Sequence, residues 1–300
     1  MRFSLTAAFL GLLIHTTIAA TAGSDTVLTP VGYRARDSFH LIPEGGRVAH
    51  VGSDIHISDE KGNVVEIATP TTSTAAPVES NWVTYATWVN NGSSPISLFQ
   101  TTWTVPPAPT TWNGQTIFLF NAMASPSGDE MVFTALQVSS TDAGVCFEIN
   151  APTQYGPSAA GGGEFWSVSF WSFSEGSIPS SVFGTPAIGV AEGMELFGQI
   201  EFQEGGFPDF FYNVAFLGVP GEPLTSIGIL EQLTTVHEAL AAVAVTEASE
   251  YPAGPIVFSD ITIEVIDGTA PPVSWSVVDD PADGIETTID VDGRVITITF

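Results

Sequence analysis

The chain is short of cysteine, of basic side chains and of long apolar runs. Cysteine occurs once, at Cys146, so no disulfide can close within the 300 residues and core burial has to hold the fold. A lone thiol with no base marked out for it reads as a small buried side chain rather than a nucleophile. Lysine and arginine number six against 33 acidic residues, a formal charge of −27 at pH 7. A surface of that sign repels phosphate backbones and excludes nucleic-acid binding driven by them. After the N-terminus no apolar run reaches the roughly 18 residues that suggest a membrane span. Histidine is sparse as well, and only His237 lies beyond residue 80. There is no HExxH motif, no paired His ligands and no Gly-x-Ser-x-Gly elbow, so neither a zinc site nor a serine-hydrolase elbow is expected. Asp279, Asp280, Asp283, Asp290 and Asp292 carry oxygens that suit calcium, but at Gly-containing turns they read first as turn residues. Gly161–Gly163 lacks the Lys and the strand-to-helix setting of a phosphate loop. No metal or cofactor is expected.

What is present begins with a leader. Arg2 supplies a positive start, residues 5–14 an apolar stretch, and Ala20-Thr21-Ala22 a small-residue cleavage site, so residues 1–22 read as a secretory signal. Asn91-Gly92-Ser93 is an N-glycosylation sequon, which fits an extracellular, secreted address. The remaining charge is unevenly placed. Arg34, Arg36, Arg47 and Lys61 precede residue 62, whereas residues 81–300 hold 25 acidic residues and one base, Arg294. Such a block repels itself at neutral pH and relaxes as carboxylates protonate toward about pH 4, which suits work in acid. Acid-rich surfaces also confer solubility, and that is the plain alternative.

Residues 23–66 read as a small unit of their own, followed by a Thr/Pro/Ala-rich run at 68–77 that has no means to bury a core. Residues 23–80 are therefore expected to be a pro-segment with its linker; a mature N-terminal module on a flexible tether is the competing reading. From residue 81 onward, short runs rich in aromatic and β-branched residues alternate with Gly and Pro turns. Trp82–Val89, Ile96–Val105, Met131–Val138, Phe210–Leu217 and an Asp292-Gly293 hairpin are examples. The expected fold is all-β, a two-sheet antiparallel β-sandwich over residues 81–300. One segment conflicts: Glu231–Glu250 is Ala-rich, with Leu233, Val236, Leu240 and Val243 near helical spacing.

Trp103–Pro109, then Thr116–Asn121, then Ala135-Leu136-Gln137, resemble in order the motifs of the glutamic peptidases, the eqolisin family. The aromatic strand Glu164–Phe173, the segment around Glu238 and Ile256–Ile261 are similar to later elements of that family. The resemblance implies a concanavalin A-like jelly roll and an acid-acting secreted endopeptidase made as a precursor. It also implies a catalytic Gln and Glu, which map to Gln137 and Glu238. Glu238 as carboxylate would take a proton from the attacking water, and the Gln137 amide would position that water and donate to the developing oxyanion. The chain departs from the family where Val138 follows Gln137 and where the Trp and second acid after Glu238 are missing. If Glu238 is catalytic its segment has to be a strand, and His237 then faces the other way.

Two other classes compete. A non-catalytic sandwich could bind extracellular glycans through tryptophans; Trp103, Trp166 and Trp171 are the expected binding residues, with Tyr155 beside them on a sheet face. A carbohydrate-active enzyme on the same fold would pair two carboxylates, drawn from Glu148, Glu164, Glu195 and Glu201. The expected partners are a protein or peptide substrate or an extracellular glycan, with no nucleic acid, no membrane once the leader is removed, and a monomeric state.

Overall fold

The computed structural model describes residues 26–68, 81–139, 163–174, 181–203, 209–221, 224–279 and 284–300. The expected signal at 1–22, the run at 69–80, Cys146, Glu148, Tyr155, Asp280 and Asp283 lie outside them. The chain opens with β1 (Thr26–Thr29), β2 (Gly32–Ala35), a 3-10 turn at Arg36–Ser38 and β3 (Phe39–Leu41). Next come β4 (Arg47–Val51), β5 (Asp54–Ser58), β6 (Val64–Ala68), β7 (Trp82–Val89) and β8 (Ile96–Thr104). Then follow β9 (Thr116–Ala124), β10 (Glu130–Ser139), β11 (Gly163–Ser174), β12 (Ser181–Gly184) and β13 (Ile188–Gly189). The last third holds β14 (Glu195–Gln203), β15 (Phe210–Leu217), β16 (Thr225–Ile229) and β17 (Thr235–Val243). A 3-10 turn at Ala248–Glu250, β18 (Ile256–Val265), β19 (Ser276–Val278), β20 (Glu286–Ile289) and β21 (Ile296–Thr299) complete it.

Two large sheets account for nearly all of these strands. One runs β19-β7-β17-β9-β10-β11-β12-β3, with β13 beside β11; the other runs β20-β21-β18-β8-β14-β15-β16-β4-β5-β6. Leu119, Val132, Leu136 and Leu240 from the first meet Phe99, Trp103, Ile200 and Phe258 from the second in one continuous core. This is the expected all-β, two-sheet sandwich. Burying one such large side chain is worth about 1.5–3 kcal/mol, so a core of this extent does not need disulfides. Among the described residues no helix is long and apolar enough to cross a membrane.

The Ala-rich segment is strand, not helix. β17 sits between β7 and β9 and pairs with both along its length. Two complete ladders outweigh propensity differences of a few tenths of a kcal/mol per residue. Its alanines face bulky partners: Ala239 lies opposite Phe120 and Ala241 opposite Phe118.

The N-terminal strands are not a unit of their own, which corrects the expectation for residues 23–66. β3 joins the edge of the first sheet parallel to β12, and β4 joins the second parallel to β16. Those parallel pairs are the exceptions in otherwise antiparallel sheets. Asp209, just before β15, reaches across β16 to β4: its carboxylate accepts the His50 backbone N–H at 2.7 Å and pairs with His50 Nδ1 at 2.9 Å. The Arg47 guanidinium lies 4.0 Å above the Phe211 ring. Gly228, in β16, leaves room for this docking, because a Cβ there would stand 2.7 Å from Phe211, 2.8 Å from Asp209 and 3.0 Å from the Val48 carbonyl. We predict that Gly228→Ala lowers stability by about 1–3 kcal/mol, a fall of several degrees in a thermal melt. An unchanged melting temperature would show that β4 docks loosely.

Candidate functional site

The strand register fixes which way each expected catalytic side chain points. Residues directly opposite in a ladder share a face, and neighbours along a strand alternate faces. Glu238 is opposite Asn121 of β9, and Asn121 is opposite Thr134 of β10. Gln137 is opposite Phe118, which is opposite Ala241. Thr134 and Gln137 are three residues apart on one strand, as are Asn121 and Phe118, and Glu238 and Ala241. Gln137 and Glu238 therefore project from opposite faces of the nine-stranded sheet. This corrects the expected dyad: no water can bridge the two groups through a sheet.

Glu238 points into the sandwich. It is fully buried, and so are Asn121, Thr134 and Thr101 around it. The Thr101 hydroxyl donates to Glu238 Oε1, and the Thr134 hydroxyl donates to Asn121 Oδ1. Asn121 Nδ2 donates to the Gly198 carbonyl at 3.2 Å, tying the polar row to the facing sheet. Gly198 is opposite Thr101, and a Cβ on it would press on Trp103 at 2.6 Å and Asn121 Oδ1 at 2.8 Å. Glu238 Oε2 is buried without a partner. Burial holds the carboxyl well above its ordinary range, only partly offset by the Thr101 bond. At acid pH it is a neutral acid inside a polar belt.

The outer face of the same sheet holds the rest. Gln137 is buried there and its Oε1 accepts a long 3.5 Å contact from the Ser169 hydroxyl. Ser169 in turn accepts Trp171 Nε1–H at 2.8 Å. Ser167 is opposite Gln137, and Thr116 and Ser139 share a 2.7 Å hydroxyl bond nearby. His237 is also on this face, packed edge-on against Trp82 at 5.1 Å and Tyr85 at 6.2 Å. Burial in that aromatic cage pushes its pKa down to about 4, and Nδ1 has no partner. The described polar side chains set against Gln137 are thus hydroxyls, which can orient a ligand but are not bases at acid pH, and His237 stands farther along the face, opposite Ala122 rather than Phe118.

The three tryptophans expected to form a binding face are core residues instead. Trp103 and Trp166 lie in the sandwich interior, and Trp171 is covered on the outer face by Phe39, with ring centroids 6.0 Å apart. Asn91 is exposed in the turn after β7, so the sequon is accessible. Glu195 is exposed and Glu201 is partly so, and they lie on β14 of the ten-stranded sheet. Two features escaped sequence reasoning: the His50–Asp209 clasp, whose partners are far apart in the chain, and the aromatic cage of His237. Neither carries a local motif.

No protein-family model matches the chain, and no curated protein matches it by sequence. Solved structures do resemble it. Scytalido-glutamic peptidase, bound to a peptide-based transition-state analogue, is similar at 10% identity and a TM-score of 0.45, over 73% of this chain and 98% of that one. SCP-B, a member of the eqolisin family bound to the tripeptide Ala-Ile-His, is similar at 10% identity and a TM-score of 0.44, over 73% and 98%. The kappa-carrageenase from Pseudoalteromonas carrageenovora matches at 7% identity and a TM-score of 0.26, over 85% and 88%. At these values the chemistry of this chain rests on its own residues.

Glu238 also sets a pH dependence. A folded-state pKa above the unfolded one, near 4.3, means that the folded state holds the proton more tightly. Its contribution is complete below about pH 4 and is lost as pH rises through the folded value. Glu238→Gln keeps the shape and removes the titration. We predict a shallower decline of melting temperature between about pH 5 and 8 in Glu238→Gln than in wild type; parallel curves would contradict a buried, neutral Glu238.

Proposed function

We propose that this chain, in the form described, is a non-hydrolytic extracellular β-sandwich of glutamic-peptidase shape that acts in acid surroundings by binding. One observation carries the reading: Gln137 and Glu238 lie on opposite faces of one sheet, and Glu238 is sealed from solvent. A general base has to come within hydrogen-bond reach of the water it activates, directly or through one bridging water. Here the sheet separates the carboxyl from any substrate on Gln137's side. The charge of −27 and the raised pKa of Glu238 both favour acid conditions for the folded state. Secretion, glycosylation at Asn91 and a monomeric state belong to the same reading, with an extracellular glycan or peptide as partner.

A second reading has specific support: the described form is a capped precursor of an acid-acting hydrolase. It rests on residues 27–39, which cover the outer face that carries Gln137.

Purified full-length protein should leave denatured protein substrate intact near pH 3, a value below most carboxylate pKa values, and Glu238→Gln should be indistinguishable from it. Cleavage that Glu238→Gln abolishes would overturn the non-hydrolytic reading. Cleavage that begins only once residues 1–68 are removed would favour the precursor.

A further inference from the structure

The outer face of the nine-stranded sheet is apolar, yet it is not open. Phe118, Phe120, Phe133, Trp171 and Phe173 stand on it, joined edge-to-face through Phe133 at 5.1 Å from Phe120 and 5.2 Å from Phe173. Its cover comes from the N-terminal segment: Val27, Leu28, Val31 and Phe39 are buried against these rings.

The way this cover is attached differs from residue to residue. β1 and β2 form a two-stranded sheet of their own, with four residue pairs from Thr26↔Ala35 to Thr29↔Gly32, and share no ladder with either large sheet. A two-stranded hairpin is marginal by itself in water, so it depends on the face beneath it. Its tip is fixed by Trp82 Nε1–H donating to the Pro30 carbonyl at 3.0 Å, and its turn by Gly32 at φ 101°. After the 3-10 turn at Arg36–Ser38 the attachment changes. β3 and β4 enter the two sheets through backbone pairs, and Asp209 clasps His50.

We propose that residues 26–35 are a displaceable lid on this aromatic face, hinged at Arg36–Ser38 and tethered by β3–β6, so that cutting the chain at 69–80 leaves the lid in place. Lifting it breaks side-chain packing and the Trp82–Pro30 bond, among its contacts, but leaves both large ladders intact. Tethering keeps its effective concentration on the order of millimolar, so a free segment of like sequence competes only when the lid is weakened.

The test uses the full chain and two probes: the dye ANS, which reports exposed apolar surface, and a synthetic peptide of residues 26–36. Leu28→Asp should bind ANS several-fold more strongly than wild type with an unchanged strand signal in circular dichroism. It should also bind the peptide at least tenfold more tightly. Wild-type levels of both in a folded Leu28→Asp would overturn the proposal. Should Leu28→Asp not fold, Trp82→Phe takes its place: it keeps a ring but loses the bond to Pro30, and ANS binding should rise, with no rise counting against the lid. A specific protease site placed within 69–80 supplies the second arm. After cutting, the N-terminal fragment should co-elute with the rest under native conditions and separate only in denaturant; separation without denaturant would overturn the tether. The non-hydrolytic reading fails on peptide cleavage instead, so the two outcomes are distinguishable.

Discussion

The alternation of side chains along β17 is the constraint on which the rest depends. Because β17 is paired on both sides, its register against β9 decides that 236, 238 and 240 enter the sandwich and 237, 239 and 241 leave it. A slip of one residue would exchange the two sets. In the observed register a carboxyl enters the core, and the facing sheet accommodates it with Thr101 and Gly198 where bulkier residues would collide. The cost of burying that group is reduced by keeping it protonated, which links the fold itself to acid conditions. Bulk charge acts in the same direction, since a surface with so few bases expands at neutral pH.

The N-terminal segment completes both sheets and also covers one of their faces. Its basic residues precede the base-poor block in sequence, and their placement is particular. Arg47 lies on an aromatic ring and His50 on a buried carboxylate. Strand pairing and these contacts make the segment integral from β3 onward, whereas the hairpin before it shares no ladder with either large sheet. The two modes of attachment have different consequences: edge pairing in two sheets resists removal, and packing permits movement.

Much of the fold was legible. Trp82–Val89 and Phe210–Leu217 match strands residue for residue, and the Asp292-Gly293 turn joins β20 to β21. These segments are rich in aromatic and β-branched residues, and that composition is a local signal. The site was less legible for a physical reason. Between Val236 and Ala241 both faces carry apolar residues, because the outer face is covered by the hairpin as well as the inner face by the second sheet. Polarity therefore gives no clue to which face is inward, and Glu238 looks the same in either setting until its partner Asn121 is known. The tryptophans misled similarly: Trp171 faces outward but lies beneath Phe39, which comes from a segment that reads as separate.

The central claim is that Glu238 is a neutral acid enclosed between the sheets, out of reach of anything Gln137 could bind. Infrared difference spectra of wild type against Glu238→Gln, taken at about pH 6, above the ordinary carboxyl range, read its protonation state directly. The account predicts the carbonyl stretch of a protonated carboxyl group, insensitive to added substrate peptide. The symmetric and antisymmetric bands of a carboxylate at that pH, shifting when peptide is added, would contradict it.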